Sequence, residues 1–428
     1  MEIVIAIFLS LLFLGMPVAF SIGIAGTFFF LVTPDLPFTI AVQKVVSSTQ
    51  SFTLLAIPLF IFAGNLMNHS GITKRLIKLS NVLTGHMYGN LAQVSCVLST
   101  LMGGVSGSAN ADAAMESRVL GPSMTERGYK RGYSAAVNGI TALITATIPP
   151  SMGLIIYGSV GEVSIGRLFA AGIVPGILMM IALMTAVRFT AKRRGYMPER
   201  AKPAKLGEVG RAAAESIWAL LFPVILIVGI RFGVFTPSES GSFAVMYAIF
   251  VGAFIYRELT WKTFKQALRD SVGDIGVIMF LVALSGIFGY GVVYDSIPQK
   301  LATLLISITT NPYILLFIIV MLLLFLGMFM ETTVIALLLT PILLPVVTKV
   351  NVDPVQFGII MMTIVTMGIM TPPVGIALYT TSNIMGCTPE ETAKESIPFI
   401  IAVTVVIAVC IFWKDLVLLV PNLIFGGE

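Results

Sequence analysis

The chain has 428 residues, of which 57% are hydrophobic and only 11% charged, with a formal net charge of +5. So little polar surface excludes a soluble fold, and continuous rather than alternating apolar runs exclude a β-barrel; what remains is an all-α polytopic membrane protein of roughly ten spans plus shorter re-entrant pieces. The basic excess lies in loops, where it marks topology and not a nucleic-acid partner.

Met1-Glu2-Ile3 lacks a basic n-region and no small-residue cleavage site follows, so the first helix is expected to insert and stay. The first 33 residues allow one long helix or two short ones split at Gly15-Met16-Pro17; alignment of Pro17 with Pro237 favours two, with an external N-terminus. A span at 51–68 then enters from outside. The apolar stretch 89–120 follows Lys74, Arg75 and Lys78 and precedes Arg118, Arg127, Lys130 and Arg131, so both its ends are expected on the cytoplasmic face. It must turn round inside the bilayer, and the segment Gly103–Asn110 is too rich in Gly and Ser to continue a helix comfortably. Helix 134–160 leaves the cytoplasm, broken at Ile148-Pro149-Pro150, and helix 168–190 returns. The basic stretch Arg188–Arg211, which also holds Pro198 and Pro203, is the clearest cytoplasmic marker. It divides the chain into a first repeat (1–187), a linker (188–213) and a second repeat (214–428).

In the second half, spans near 214–233 and 240–256 flank an external turn, Thr236–Gly241, and lead to the cytoplasmic residues Arg257, Lys262, Lys265 and Arg269. Helix 274–293 leaves. The stretch 313–347 has no basic excess at either end, only Asp295 and Lys300 before it and Lys349 and Asp353 after it, so its ends are expected outside, with a turn at Gly327–Thr333. Helix 356–386 returns, broken at Thr371-Pro372-Pro373, and 396–420 leaves, placing Glu428 outside. Pro372 follows Pro149 by 372 − 149 = 223 positions, as Gly327 follows Gly104, and each first proline stands 26 residues before another, Pro175 or Pro398, with Tyr157 or Tyr379 between. Paired prolines remove backbone donors and clash with the preceding turn, and broken backbone survives in hydrocarbon only where protein or a polar cavity surrounds it. Matching segments that enter from opposite faces constitute an inverted-topology repeat with two re-entrant helical hairpins and two broken helices, an arrangement that points to a secondary transporter's binding site.

Carbonyls released at a helix break coordinate hard cations such as Na⁺, and half-helix N-termini attract a carboxylate. One candidate sodium site combines Ser106, Ser108 and Asn110 with backbone around Thr145, Ile148 and Pro150; the second, by symmetry, combines Gly327, Thr332 and Thr333 with Gly368 and Thr371. Asn110, Asp112, Ser151, Glu331 and Pro372 are candidates for the substrate cavity. Glu331 either neutralises a cation, caps its half-helix or forms a structural ion pair; Asp112 and Glu116 either serve the site or stabilise a helix end. Close packing of small residues and simple kinking are the competing explanation for one such pair, but two symmetric pairs, each with a tip, favour function. His69 and His86 stand alone, so no transition-metal site is expected, and Cys96, Cys387 and Cys410 read as packing thiols. There is no P-loop and no nucleophile elbow, so no enzyme is expected. A passive anion channel would favour rings of charge at depth, which this sequence lacks.

With tips and breaks in this order, the chain from about Ile3 to beyond Ile397 resembles the large membrane (M) subunit of tripartite ATP-independent periplasmic (TRAP) transporters. It looks most like the sialic-acid type, though C4-dicarboxylate members share the architecture. The resemblance implies an elevator-type transporter like those of the ion transporter superfamily, lying in the bacterial inner (cytoplasmic) membrane, with Na⁺ as coupling ion and no other cofactor. It implies a mobile transport domain of hairpins and broken helices, carried by a scaffold of the remaining helices. It also implies two partners, a small four-helix membrane (Q) subunit and a soluble periplasmic substrate-binding (P) protein, besides membrane lipid and a small organic anion as substrate. No extra four-helix block precedes Met1 or follows Leu416–Ile424, so the unfused form is expected.

Overall fold

A computed structural model of the chain describes residues 1–309 and 311–426, and among these there are helices and turns but no strand. The expected external Glu428 lies outside the described residues. Helices α1 (Glu2–Phe13) and α2 (Val18–Val32) are separate: Gly15 takes φ +84 and Pro17 precedes α2 in extended conformation, so the two-helix reading of the first 33 residues holds. There follow α3 (Thr39–Thr49), a 3-10 turn at Phe52–Leu55, α4 (Ala56–His69) and α5 (Ile72–Thr84). The first hairpin is α6 (Asn90–Met102) and α7 (Ala109–Val119), and α8 (Gly121–Glu126) closes it. At 13 residues α6 is about 20 Å long, shorter than the roughly 30 Å of hydrocarbon that a full span crosses.

The first broken helix is α9 (Arg131–Thr147) and α10 (Met152–Val160), bent by 43° at the prolines. Next come α11 (Ile165–Arg194), α12 (Leu206–Glu215), α13 (Ile217–Arg231) and α14 (Pro237–Phe250), the last extended by a π turn at Val251–Ile255. Thr236 and Glu239 start α14 with a reciprocal capping box, which explains why the chain reverses there. The remaining helices are α15 (Trp261–Tyr294), α16 (Ile297–Ile308), α17 (Pro312–Gly327), α18 (Thr332–Lys349), α19 (Pro354–Gly368), α20 (Ile376–Met385), α21 (Pro389–Phe412) and α22 (Lys414–Phe425). Among the described residues six helices are long and apolar enough to cross a membrane, or eight if each bent pair counts as one span, and the shorter apolar helices include α1, α2, α6, α17 and α19.

Three boundaries differ from the sequence reading. Lys262, Lys265 and Arg269 lie on α15, which runs 34 residues instead of starting at 274, because charged side chains on the first turns of a helix reach water without ending it. The stretch 188–213 is helical at both ends, in α11 and α12. The final span stops at Phe412, and the chain bends at Trp413 into α22; Gln356 Nε2 donates to the Cys410 and Ile411 carbonyls freed there (2.8 and 3.3 Å).

The helices sort into two packed groups. In one, α2, α3 and α4 lie against α15, α14 lies against α4, and α1 packs on α2. In the other, α9 is surrounded by α6, α7, α11, α20 and α21, while α19 packs on α17, α18 and α21. Partners are exchanged between halves: α2 meets α15 as α14 meets α4, and α7 meets α20 as α18 meets α10.

Candidate functional site

Glycine seats the first tip on the first break. Gly107 takes φ +63, and a Cβ there would lie 2.3 Å from the Pro150 carbonyl oxygen, so only a bare backbone fits. Met152 N–H donates to Gly107 O (3.4 Å) and thereby ties the two segments. Ser108 caps α7 by accepting from Ala111 N–H (3.5 Å), and Ser151 caps α10 by accepting from Leu154 N–H (3.4 Å). Two short helices therefore begin at this junction with their first N–H groups gathered there. Ser106 Oγ donates to Asp112 Oδ1 (2.6 Å), and Asn110 Oδ1 is buried with no hydrogen-bond partner.

The second junction is built from backbone against backbone. A Cβ on Gly327 would lie 2.7 Å from Val365 O, and one on Gly368 would lie 2.5 Å from the Gly327 carbonyl carbon. Gly375 N–H donates to Met328 O (2.8 Å), the counterpart of the Met152 to Gly107 tie. Thr332 Oγ1 faces Thr366 Oγ1 at 3.5 Å, and Thr333 is buried. Both proline pairs contain a cis peptide, at Pro149-Pro150 and Pro372-Pro373.

The two junctions meet at a cavity of about 30 Å³ lined from one side by Ser108, Asn110 and Ser151 and from the other by Glu331, Thr332 and Thr333. A second cavity of about 350 Å³, in the size range of small-molecule sites, adjoins the tips. Ser106, Ser108, Asn110 and Glu331 face it from the tips, Asn65 and Asn68 from α4, and Asp274 from α15. Among the described residues lining it there is no Lys, Arg or His.

Of the residues expected from sequence, Ser106, Ser108, Asn110, Ile148 and Pro150 come together at the first junction. Thr145 lies one turn before the break and donates to Ser99 O (3.0 Å). Gly327, Thr332 and Gly368 join at the second junction, whereas Thr371 Oγ1 donates to Met367 O of its own chain segment (2.9 Å). Pro372 is exposed, whereas Pro149 and Pro150 are buried, and none of the three lines either cavity. Asp112 is buried and reaches the larger cavity only through Ser106, and Glu116 lies deeper, accepting from Ser95, Ser99 (2.7 Å) and Thr141 (3.2 Å). The matched tyrosines differ: Tyr157 is buried and donates to Pro354 O (2.6 Å), while Tyr379 is exposed. Asn65, Asn68 and Asp274 were not anticipated. Their signal in sequence is single polar residues on otherwise apolar helices, and Asp274 stands at the edge of an expected span.

An all-α multi-pass chain whose paired helix breaks meet beside a polar cavity is a transporter permease in its architecture. The family model described as tripartite ATP-independent periplasmic transporter, DctM component, matches residues 5–416, and the chain belongs to that family. It is 38% identical to the sialic acid TRAP transporter large permease protein of Vibrio cholerae, over 98% of this chain and 97% of that one. It is 34% identical to the 2,3-diketo-L-gulonate TRAP transporter large permease protein of Escherichia coli (95% of each chain) and 32% identical to the C4-dicarboxylate TRAP transporter large permease protein of Pseudomonas aeruginosa (94% of each). The fold is also that of the Alcanivorax borkumensis YdaH transporter, with a TM-score of 0.62 at 12% identity over 89% of each chain. The three TRAP relatives are permease subunits of transporters, not enzymes.

Proposed function

We propose that the chain is the permease component of a sodium-coupled importer of a small organic anion, with sialic acid the substrate best supported by its relatives, in the bacterial inner membrane. The observation that carries this reading is the first junction, where hydroxyls, main-chain carbonyls and the unpartnered Asn110 Oδ1 supply oxygen, the donor a hard cation takes, beside the N–H groups that begin α7 and α10. The six residues of the first candidate sodium site and the five of the second are the proposed ligand sets, from side chains or backbone, and Na⁺ enters as cargo. With no basic residue lining the larger cavity, a cation and the N-terminal ends of α7 and α10 take the role of neutralising the substrate carboxylate.

The sorting into two helix groups and the exchange of partners between halves support an inverted repeat, with the tip-and-break group carried as an elevator against the group of α1–α4, α14 and α15. The short α1 and α2, with Ile3, Phe13 and Phe20 exposed, support cover by the helices of a small membrane subunit, and a soluble periplasmic protein would deliver the substrate. Purified chain is to be reconstituted with both partners, and labelled sialic acid uptake compared under an inward Na⁺ gradient and under K⁺. Uptake that needs both partners and Na⁺ is expected. Full-rate uptake by the chain alone would overturn the tripartite reading, and uptake without Na⁺ would remove the cation sites as the coupling device.

A further inference from the structure

Resting on the reading of the larger cavity as the substrate site, we propose that Asp274 on α15 is a specificity-determining residue that favours polyhydroxylated monocarboxylic acids over dicarboxylates. Its carboxylate is held in place. Asn65 Nδ2 on α4 donates both to Ser271 Oγ (3.0 Å) and to Asp274 Oδ2 (3.3 Å), and Ser271 Oγ donates onward to Ala267 O (2.6 Å). The amide thus bridges two helices of the same packed group and fixes one carboxylate oxygen at the cavity wall. Glu331, at the start of α18 and thus in the other helix group, lines the same cavity. Between them the polar surface is neutral: Asn68, Ser106, Ser108 and Asn110.

The charge pattern selects a ligand. A carboxylate only accepts hydrogen bonds, so Asp274 and Glu331 are satisfied by a ligand's hydroxyl donors. A monocarboxylic polyol meets both demands: its one negative charge goes to the junction where α7 and α10 begin, and its hydroxyls turn to the two acids. A dicarboxylate of similar reach brings its second charge toward a wall that carries an acid and no base, leaving both carboxylates without donors and repelling each other. Asp274 lies on the α15 side while Glu331 and the junction belong to the other helix group, so the ligand's hydroxyls are read from both parts of the protein and its charge from one.

The test is equilibrium binding of sialic acid, 2,3-diketo-L-gulonate and succinate to the purified complex of the chain with its small membrane subunit, in Na⁺ and without the soluble protein, so that the selectivity measured is the permease's own. Wild type is expected to bind the two sugar acids at least about ten-fold more tightly than succinate. Asp274→Asn removes the charge from an exposed side chain and should bring that ratio to within about three-fold, chiefly by tightening succinate. Asn65→Ala frees Asp274 from its tether and should narrow the ratio as well, whereas a merely structural role would weaken all three acids in proportion. Succinate binding as tight as that of the sugar acids in wild type, or a ratio unchanged in both variants, overturns the assignment while leaving the cavity as the substrate site. Failure of every acid to bind in Na⁺ to a complex that melts normally overturns the substrate-site reading and this proposal with it.

Discussion

Gly107→Ala should dissociate cation binding from folding. Alanine there must adopt a left-handed backbone, which costs about 1–2 kcal/mol, and its Cβ would sit 2.3 Å from Pro150 O and 3.4 Å from Met152 N. Both atoms belong to main chain, so the tip itself has to move, at a further cost of about 1–3 kcal/mol. The strain exists only while the tip is seated on the break. A loss of about 2 kcal/mol, the low end of the combined cost, corresponds to a roughly 30-fold weaker affinity for a cation that needs the seated tip. The assay is the midpoint of Na⁺-dependent thermal stabilisation of the purified complex, which follows bound ligand by mass action. Gly128→Ala is the control: it has φ +79 but nothing within 4 Å of the new Cβ, so it should lower the melting temperature slightly and leave the Na⁺ midpoint alone. A wild-type midpoint in Gly107→Ala would refute the seating of the tip as part of the cation site.

Gly104→Ala places its Cβ 2.8 Å from the Pro223 ring on α13, across the boundary between tip and neighbouring helices; uptake should slow several-fold with an unchanged Na⁺ midpoint, and a shifted midpoint would show that the contact reaches the site. Glu116→Ala removes the acceptor of the buried Ser99 hydroxyl and one of several partners of Ser95 and Thr141, and should cost about 2 kcal/mol of stability, against about 1 kcal/mol for Glu116→Gln, as read by unfolding in detergent; equal losses would deny the cluster its structural weight. For topology, Val234→Cys (67% exposed) should react with an impermeant thiol reagent in intact cells and Leu206→Cys (92% exposed) should not, and the reverse pattern would overturn the orientation. Ser238, in the expected external turn that Val234 precedes, is buried and unsuited to the experiment. A Cys387→Ser background suffices, because Cys96 and Cys410 are buried.

The hairpins and breaks were legible because Gly and Pro act through the main chain: what Gly107, Pro149 and Pro372 do depends little on their surroundings. The amphipathic α5, α12 and α16 carry no such mark and too little apolar sequence to read as spans, so no helix was expected there. Basic residues misled at α15, since Lys262, Lys265 and Arg269 report where water begins and not where the helix does. Symmetry placed Gly327 and Gly368 where two stretches of main chain do meet, and it served less well for side chains. Thr371 turns to Met367 and Pro372 faces outward, because the two halves are packed against different neighbours. Asn65, Asn68 and Asp274 were hidden for a simpler reason, that a side chain becomes part of a cavity only through a helix distant in sequence.

The unlike fates of the two proline pairs carry a consequence for motion. Pro149 and Pro150 are sealed in, while Pro372 and Pro373 lie open, although the segments around them are built alike. When two similar pieces of one polymer adopt dissimilar shapes, each shape is a template for the other. Giving the first half the form of the second, and the second the form of the first, would yield another packing in which the open pair closes and the sealed pair opens. On the proposed elevator reading, the molecule therefore carries a sketch of its opposite end state, and the displacement between sketch and original would measure the stroke.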